Sequence, residues 1–136
     1  MLDKNNITTM AKREILFRGW NKKNKKWVYG YYFAYRGNHF ISPDEFVNPL
    51  ASYEDYVVDA DTVGQYTGLK DKKGKKIFEG DILNVDFLDG TRTVSYCKDG
   101  FVCEAAYTVS YDLHNVDKDC CVVGNVHENQ ELIKTK

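Results

Sequence analysis

Val63 to Asp81 reads VGQYTGLKDKKGKKIFEGD, and the fold turns on how this stretch is punctuated. Thr67-Gly68 is a turn signal, Asp71 to Gly74 a lysine-rich turn, Ile77-Phe78 a short apolar strand, and Glu79-Gly80-Asp81 a sharp corner. Glycine at a reversal takes positive φ without the steric penalty that a Cβ imposes. The chain is therefore expected to double back here as strands joined by tight turns.

Downstream, Asp89-Gly90 and Asp99-Gly100 are both two-residue type I′ hairpin signals. A two-residue loop at 89–90 pairs Val85 with Val94 and Leu83 with Tyr96. One at 99–100 pairs Tyr96 with Cys103 and Val94 with Ala105. Phe101, Cys103, Ala105, Tyr107, Val109, Tyr111 and Leu113 then alternate with a more polar set running from Val102 to His114. A period of two buries one face of a strand, so these residues predict one long strand that bends or carries a bulge. Cys120 to Val123 is a last apolar strand, ended by Gly124-Asn125, and His127 to Ile133 is a short helical turn. Consecutive hairpins expose their edges unless the meander closes, which predicts a small barrel.

Upstream, residues 1–11 carry no periodic pattern and are expected to be extended or disordered. Arg13 to Trp20 reads as a strand with Ile15 and Phe17 on one face and Leu16, Arg18 and Trp20 on the other. Asn21 to Lys26, NKKNKK, is a polar turn leading into the aromatic strand Trp27 to Tyr35. Arg36-Gly37-Asn38 turns the chain again, and His39 to Ile41 returns. Ser42 to Thr62 is an acidic connection. Ser42-Pro43-Asp44-Glu45 suits one helical turn, with proline first and acids at its positive end. Pro49 stops it, and Leu50 to Tyr56 allows another. The expected organisation is an N-terminal stretch 1–11, a β portion 12–62 and a second β portion 63–136.

VGQYTGLKDKKGKKIFEGD resembles the signature of the YopX family, small proteins encoded by bacteriophages and prophages of Gram-positive bacteria. REILFRGW at Arg13 to Trp20 and VVGNVHEN at Val122 to Asn129 match as well, in the family's order. The three blocks span nearly the whole chain from Arg13 to Leu132. The resemblance implies an N-terminal β portion followed by a C-terminal barrel of SH3 type, and a phage or prophage lineage. It carries no activity with it.

Composition narrows the classes further. With 14% aromatics and ten tyrosines among 136 residues, the chain leans toward strands. A formal net charge of -1 gives no global field for nucleic acid or an anionic membrane. No apolar run approaches the ~20 residues that cross a bilayer, and the polar MLDKNNITTM has no apolar core of a signal peptide. A protein of the bacterial cytoplasm is expected. Between Lys12 and Arg36 the only acid is Glu14, whereas Asn38 to Thr62 holds Asp44, Glu45, Glu54, Asp55, Asp59 and Asp61 and no Lys or Arg. Exposed ion pairs contribute only ~0–1 kcal/mol, so two separate solvated surfaces are the simpler expectation. Mutual neutralisation, within the fold or between subunits, is the alternative.

Chemistry-bearing residues are sparse. Cys97 and Cys103 lack the spacing of a zinc ribbon, and adjacent Cys120 and Cys121 face opposite ways in a strand. In the expected register Cys103 faces inward with Tyr96 and Cys97 outward beside Val102, so the thiols are structural. His39, His114 and His127 share no ligand spacing. Glu79 and Asp81 flank Gly80 on one face, suited to a cation or to acid–base work, but are more cheaply read as a corner in which Asp81 binds local amides. No metal, no cofactor and no catalytic residue is expected.

The expected function is a non-enzymatic protein-interaction or self-assembling module, as a homo-oligomer or with a host or phage protein. Its surface is placed on Arg18, Trp20, Gln65, Tyr66 and Thr67, because desolvated aromatics and arginine contribute most at contacts. For Trp20 and Tyr66 plain core packing is the competing reading. The alternative function is nucleic-acid binding, with Lys22, Lys23, Lys25, Lys26, Lys72, Lys73, Lys75 and Lys76 gripping phosphates and Trp20, Trp27, Tyr29, Tyr31 or Tyr66 stacking on bases.

Overall fold

The computed structural model describes residues 14–43 and 53–133, and the expectations for 1–11 and for the helical turn through Asp44 and Glu45 lie outside them. Alternation of side chains builds a first sheet from β1 (Phe17–Asn21), β2 (Lys26–Tyr35), β3 (Asn38–Ser42), β4 (Val57–Val58), β5 (Gly64–Lys70) and β6 (Lys76–Phe78). Their spatial order is β4-β3-β2-β1-β5-β6. The N-terminal hairpin forms where NKKNKK predicts it, with Asn21 opposite Lys26 and Trp20 opposite Trp27. Arg36 (φ 51) and Gly37 (φ 80) make the next reversal, both left-handed as a type I′ loop demands. The strand expected from Arg13 begins at Phe17. Gly68 (φ 87) does not reverse the chain. It sits inside β5, where the register against β6 shifts between Tyr66 and Lys70, so the expected turn is a bulge.

A second sheet, in the order β10-β9-β8-β7-β11, holds β7 (Asp81–Val85), β8 (Thr91–Cys97), β9 (Gly100–Glu104), β10 (Tyr111–Asp112) and β11 (Cys120–Asn125). The sheets change at Glu79-Gly80, so residue 63 is not a boundary between them: β5 pairs with β1 through Phe17 and Gln65. Three short 3-10 turns, Leu113–Asn115, Asp117–Asp119 and Gln130–Leu132, complete this half, the last inside the expected terminal turn. Ile77, Leu83, Val85, Val94, Cys103, Leu113, Val116 and Cys120 form its buried core.

The predicted registers need correction. Leu83 lies opposite Arg92 and Asn84 opposite Thr91, so the first reversal spans Val85 to Gly90 instead of two residues. Leu88 explains the wider loop: its amide bonds the Val85 carbonyl at 3.0 Å and its side chain packs on the core. At the next turn Tyr96 pairs with Phe101 and Val94 with Cys103, so the loop is Lys98-Asp99. Positive φ falls on Gly100 alone (φ 134), which places the turn one residue early. Both slips are even-numbered, which is why Val85, Val94 and Cys103 still face the core. Tyr96 does not: it is 61% exposed, and Cys97 lies opposite Gly100 instead of beside Val102.

The long strand from Phe101 to Leu113 does not exist. β9 ends at Glu104, the chain turns through Ala105 to Ser110, and β10 folds back with Tyr111 opposite Cys103. Tyr107 and Val109 consequently point into water while Cys103 and Leu113 are buried. Without a strand long enough to bend across the sheet, β10 and β11 remain its two edge strands among the described residues, and the expected SH3-type barrel is replaced by two open antiparallel sheets.

The acidic segment is more than a connection. Its expected helical turn appears at Tyr53–Asp55, and β4 extends the first sheet by pairing His39 with Val58. Asn21 Nδ2 donates to the Asp55 carbonyl at 2.8 Å, which draws the acids to the basic turn. Lys22 Nζ lies 3.7 Å from Asp59, and Lys23 Nζ 3.0 Å from Asp55 and 3.8 Å from Glu54. Lys22 and Lys23 of the basic block thus meet Glu54, Asp55 and Asp59 of the acidic one within one chain, and the expectation of two surfaces without mutual contact fails. Among the described residues, no helix is long and apolar enough to cross a membrane.

Candidate functional site

Every odd position of β2 from 27 to 35 is aromatic: Trp27, Tyr29, Tyr31, Phe33 and Tyr35. Alternation sends all five to one face of the first sheet. Cross-strand pairing adds Trp20 beside Trp27, Arg18 beside Tyr29 and Phe40 beside Phe33. The rings engage each other, Phe33 stacking on Phe40 at 4.8 Å and Tyr29 meeting Phe78 edge-on at 5.5 Å. Tyr29, Tyr31 and Tyr35 nonetheless remain 47%, 49% and 60% exposed. Three half-exposed aromatics in a row form the kind of patch that marks an interaction face.

At one end this face dips into a cleft of about 640 Å³ between the two sheets, walled by Trp27, Tyr29 and Phe78 and by Val122 and Asn125 of β11. Arg18 lies in its wall, 6% exposed, with its guanidinium 5.0 Å from the ring centres of both Trp27 and Phe78. Its Nη2 is 2.8 Å from Asp81 Oδ1 and 3.4 Å from the Glu79 carbonyl. Asp81 Oδ2 accepts the Phe78 amide at 2.7 Å, so the corner reading of Glu79-Gly80-Asp81 holds. Burial pushes the Asp81 carboxyl up, against the opposing pull of Arg18 and the Phe78 amide. Trp27 Nε1 donates to Glu128 at 2.8 Å, and bonds from Asn125 and Trp27 hold that carboxyl below its usual range. His127 packs against Trp27 at 6.0 Å, and burial, followed by the Arg18 charge, depresses its pKa.

The five residues singled out in the sequence do not form one surface. Arg18 is a buried ion-pair partner, and Tyr66, 5% exposed, packs on Phe78 at 5.6 Å. Trp20 is half-buried, edge-on to Trp27 at 5.5 Å. Gln65 and Thr67 line a different groove, shared with Glu79, Tyr96 and Phe101. Thr67 Oγ1 also donates to the Ile77 carbonyl at 2.8 Å.

Four of the eight candidate lysines pair with acids. Besides Lys22 and Lys23, Lys72 reaches Asp86 at 2.7 Å and Lys76 reaches Glu14 at 2.9 Å. Lys25, Lys26, Lys73 and Lys75 stand exposed. Because β5 runs antiparallel to β1, the two lysine turns sit at opposite ends of the sheet, roughly 30 Å apart at ~3.3 Å per residue. Asp71 is the residue that sequence reasoning missed in this region. It is buried, its Oδ1 accepting the amides of Lys73 and Lys75 at 2.9 Å and its Oδ2 that of Val122 at 2.9 Å. Burial raises its carboxyl, but the three amides outweigh that and hold the pKa below its ordinary value. Aspartate opening a K-K-G turn was the available signal.

Among the described residues no His, Cys, Asp and Glu come together as a metal site. Burial pushes the Cys103 thiol up and that of Cys120 to about 12, keeping both protonated and unreactive inside the core.

The model of the YopX protein family matches residues 16–134. No curated protein matches the chain. Among solved structures, the crystal structure of protein EF1440 from Enterococcus faecalis is similar, with a TM-score of 0.59 and 25% identity, covering 90% of this chain and 100% of that one.

Proposed function

The chain belongs to the YopX family, and on that footing we propose that it is a non-catalytic protein-interaction module of phage or prophage lineage, working in the host cytoplasm. The row of half-exposed tyrosines on β2 carries this reading. Tyrosine and tryptophan supply large contact area with few rotatable bonds, and they dominate the energetics of protein contacts when desolvated. The row lies on a strand hydrogen-bonded to β1 on one side and β3 on the other, so little backbone ordering cost accompanies docking. Nucleic-acid binding is the weaker reading, because Lys22, Lys23, Lys72 and Lys76 already serve internal acids and the two turns lie far apart.

A paired comparison tests this. Wild type and the Tyr31→Ser/Tyr35→Ser variant are run through sedimentation velocity and through affinity capture from host and phage-infected extract. Wild type is expected to self-associate or to retain one defined protein, and the variant to lose that while melting at the same temperature. A wild type that stays monomeric and retains nothing would overturn the reading. So would tight, salt-sensitive binding to oligonucleotides, which would transfer the aromatic row to base stacking.

A further inference from the structure

Between Glu104 and Tyr111 the chain reads AAYTVS, an uncharged run in a protein with 29% charged residues. It is the tip of the β9–β10 hairpin, and Tyr107 on it is wholly exposed at 106%, with Val109 at 73%. Tyr107 also takes φ 64, where Cβ crowds the backbone of any residue but glycine. The turn is pinned by Thr108, whose amide and Oγ1 both donate to the Ala105 carbonyl, at 3.2 and 2.9 Å. An aromatic side chain that faces water from a strained backbone position gains no packing from its own fold. Strain of this kind collects at contact sites.

The cleft beside Arg18 is the complementary feature. Its aromatic walls, Trp27, Tyr29 and Phe78, leave about 640 Å³ open, ample for one tyrosine ring. Exposed Lys75 stands on its rim beside half-buried Lys76, which is paired with Glu14, and Glu128, which is held by Trp27 and Asn125, whereas the tip is flanked by Glu104 and Asp112 and no Lys or Arg occurs from Phe101 to Leu113. Within one molecule the two cannot meet. The tip belongs to one edge of the second sheet and the cleft to the other, four strands and roughly 19 Å away at ~4.8 Å per strand.

We propose that Tyr107 docks into the Trp27–Tyr29–Phe78 cleft of a second copy of this chain, head to tail. The proposal rests on the interaction-module reading and deepens it by naming the partner. Each molecule offers one tip and one cleft, so the contact is heterologous and leads to a ring if the rotation closes or to a filament if it does not.

Mixing tests it. Tyr107→Asp removes the tip and leaves the cleft, while Tyr29→Ala with Lys75→Glu disables the cleft and leaves the tip. All of these side chains are exposed, and matched melting curves confirm folding. By sedimentation velocity, wild type should give concentration-dependent oligomers. Each variant alone should lose them, with apparent affinity falling about tenfold or more. A mixture of the two variants should give a heterodimer and nothing larger, because one intact tip and one intact cleft remain. Asp112→Lys should in turn partly rescue Lys75→Glu. Undiminished assembly of Tyr107→Asp overturns the inference. If Tyr31→Ser/Tyr35→Ser abolishes that assembly, the interaction module survives with a different contact. A wild type that is monomeric throughout also overturns the inference, and the module is then judged by capture of a different protein.

Discussion

The two sheets are built from the same kind of residue pattern and end up doing opposite things with it. In the second sheet the core set is aliphatic or thiol, from Leu83 and Val85 to Cys120, and the charge buried beside it, Arg92 opposite Leu83, donates to the carbonyls of Asp89 and Thr91 in its own hairpin. In the first sheet the corresponding face is aromatic, half-open, and contains a buried charge pair, Arg18 with Asp81. Dry aliphatic packing favours stability alone. A face of tyrosines around a desolvated arginine gains less from burial and presents more to a partner. The corner at Glu79-Gly80-Asp81 joins the two, since Asp81 begins the second sheet while neutralising a residue of the first.

The contrast is most sharply broken at that joint. Arg18→Met leaves Asp81 buried without a counterion and should cost about 3–5 kcal/mol by urea denaturation. A loss below about 1 kcal/mol would mean that Asp81 reaches water and that the sheets are not coupled through it. Leu83→Ala, at a fully buried position, should cost about 2–5 kcal/mol through lost burial and a cavity. Equal tolerance there and on the tyrosine face would erase the distinction between the sheets.

Asp71 sharpens the comparison with pH. Its pKa is lowered in the fold, so its stabilisation is present above the usual carboxylate range and drains away as pH falls through the folded value. Asp81, raised by burial, has the opposite sign: it takes up a proton more readily folded than unfolded and so opposes the acid loss. Asp71→Asn should therefore flatten the acid limb of the stability curve and lower stability at neutral pH by about 1–3 kcal/mol. An unchanged acid limb would show that the Val122 bond does not hold the turn to β11. The smallest effect belongs to the open face: Tyr31→Ser should shift stability by no more than about 0.5 kcal/mol. A large shift in its melting temperature would make that face structural.

Local chemistry made much of this readable in advance. The N-terminal hairpin, the type I′ turn at Arg36-Gly37 and the Asp81 corner all follow from residues that are neighbours in sequence. The row on β2 was legible too, since every odd position from Trp27 to Tyr35 is aromatic, although the surface was sought at Tyr66 and Arg18. Those two were misplaced because a side chain's exposure depends on what packs above it. Phe78 and Asp81 arrive from sixty residues downstream to cover Arg18.

Alternation between Phe101 and Leu113 misled for a related reason. A period of two is equally satisfied by one long strand and by two short ones with a turn between them, because β10 returns with the same parity, Tyr111 opposite Cys103. Which residues face the core near Val85, Val94 and Cys103 was thus settled by the sequence alone, since even-numbered slips in register leave the faces unchanged. Where the chain reverses, whether the sheet closes, and which aromatics stay in water were decided only by tertiary structure. Those outcomes depend on competing non-local contacts, such as Leu88 on the core and Asp71 on Val122, whose balance no local pattern records.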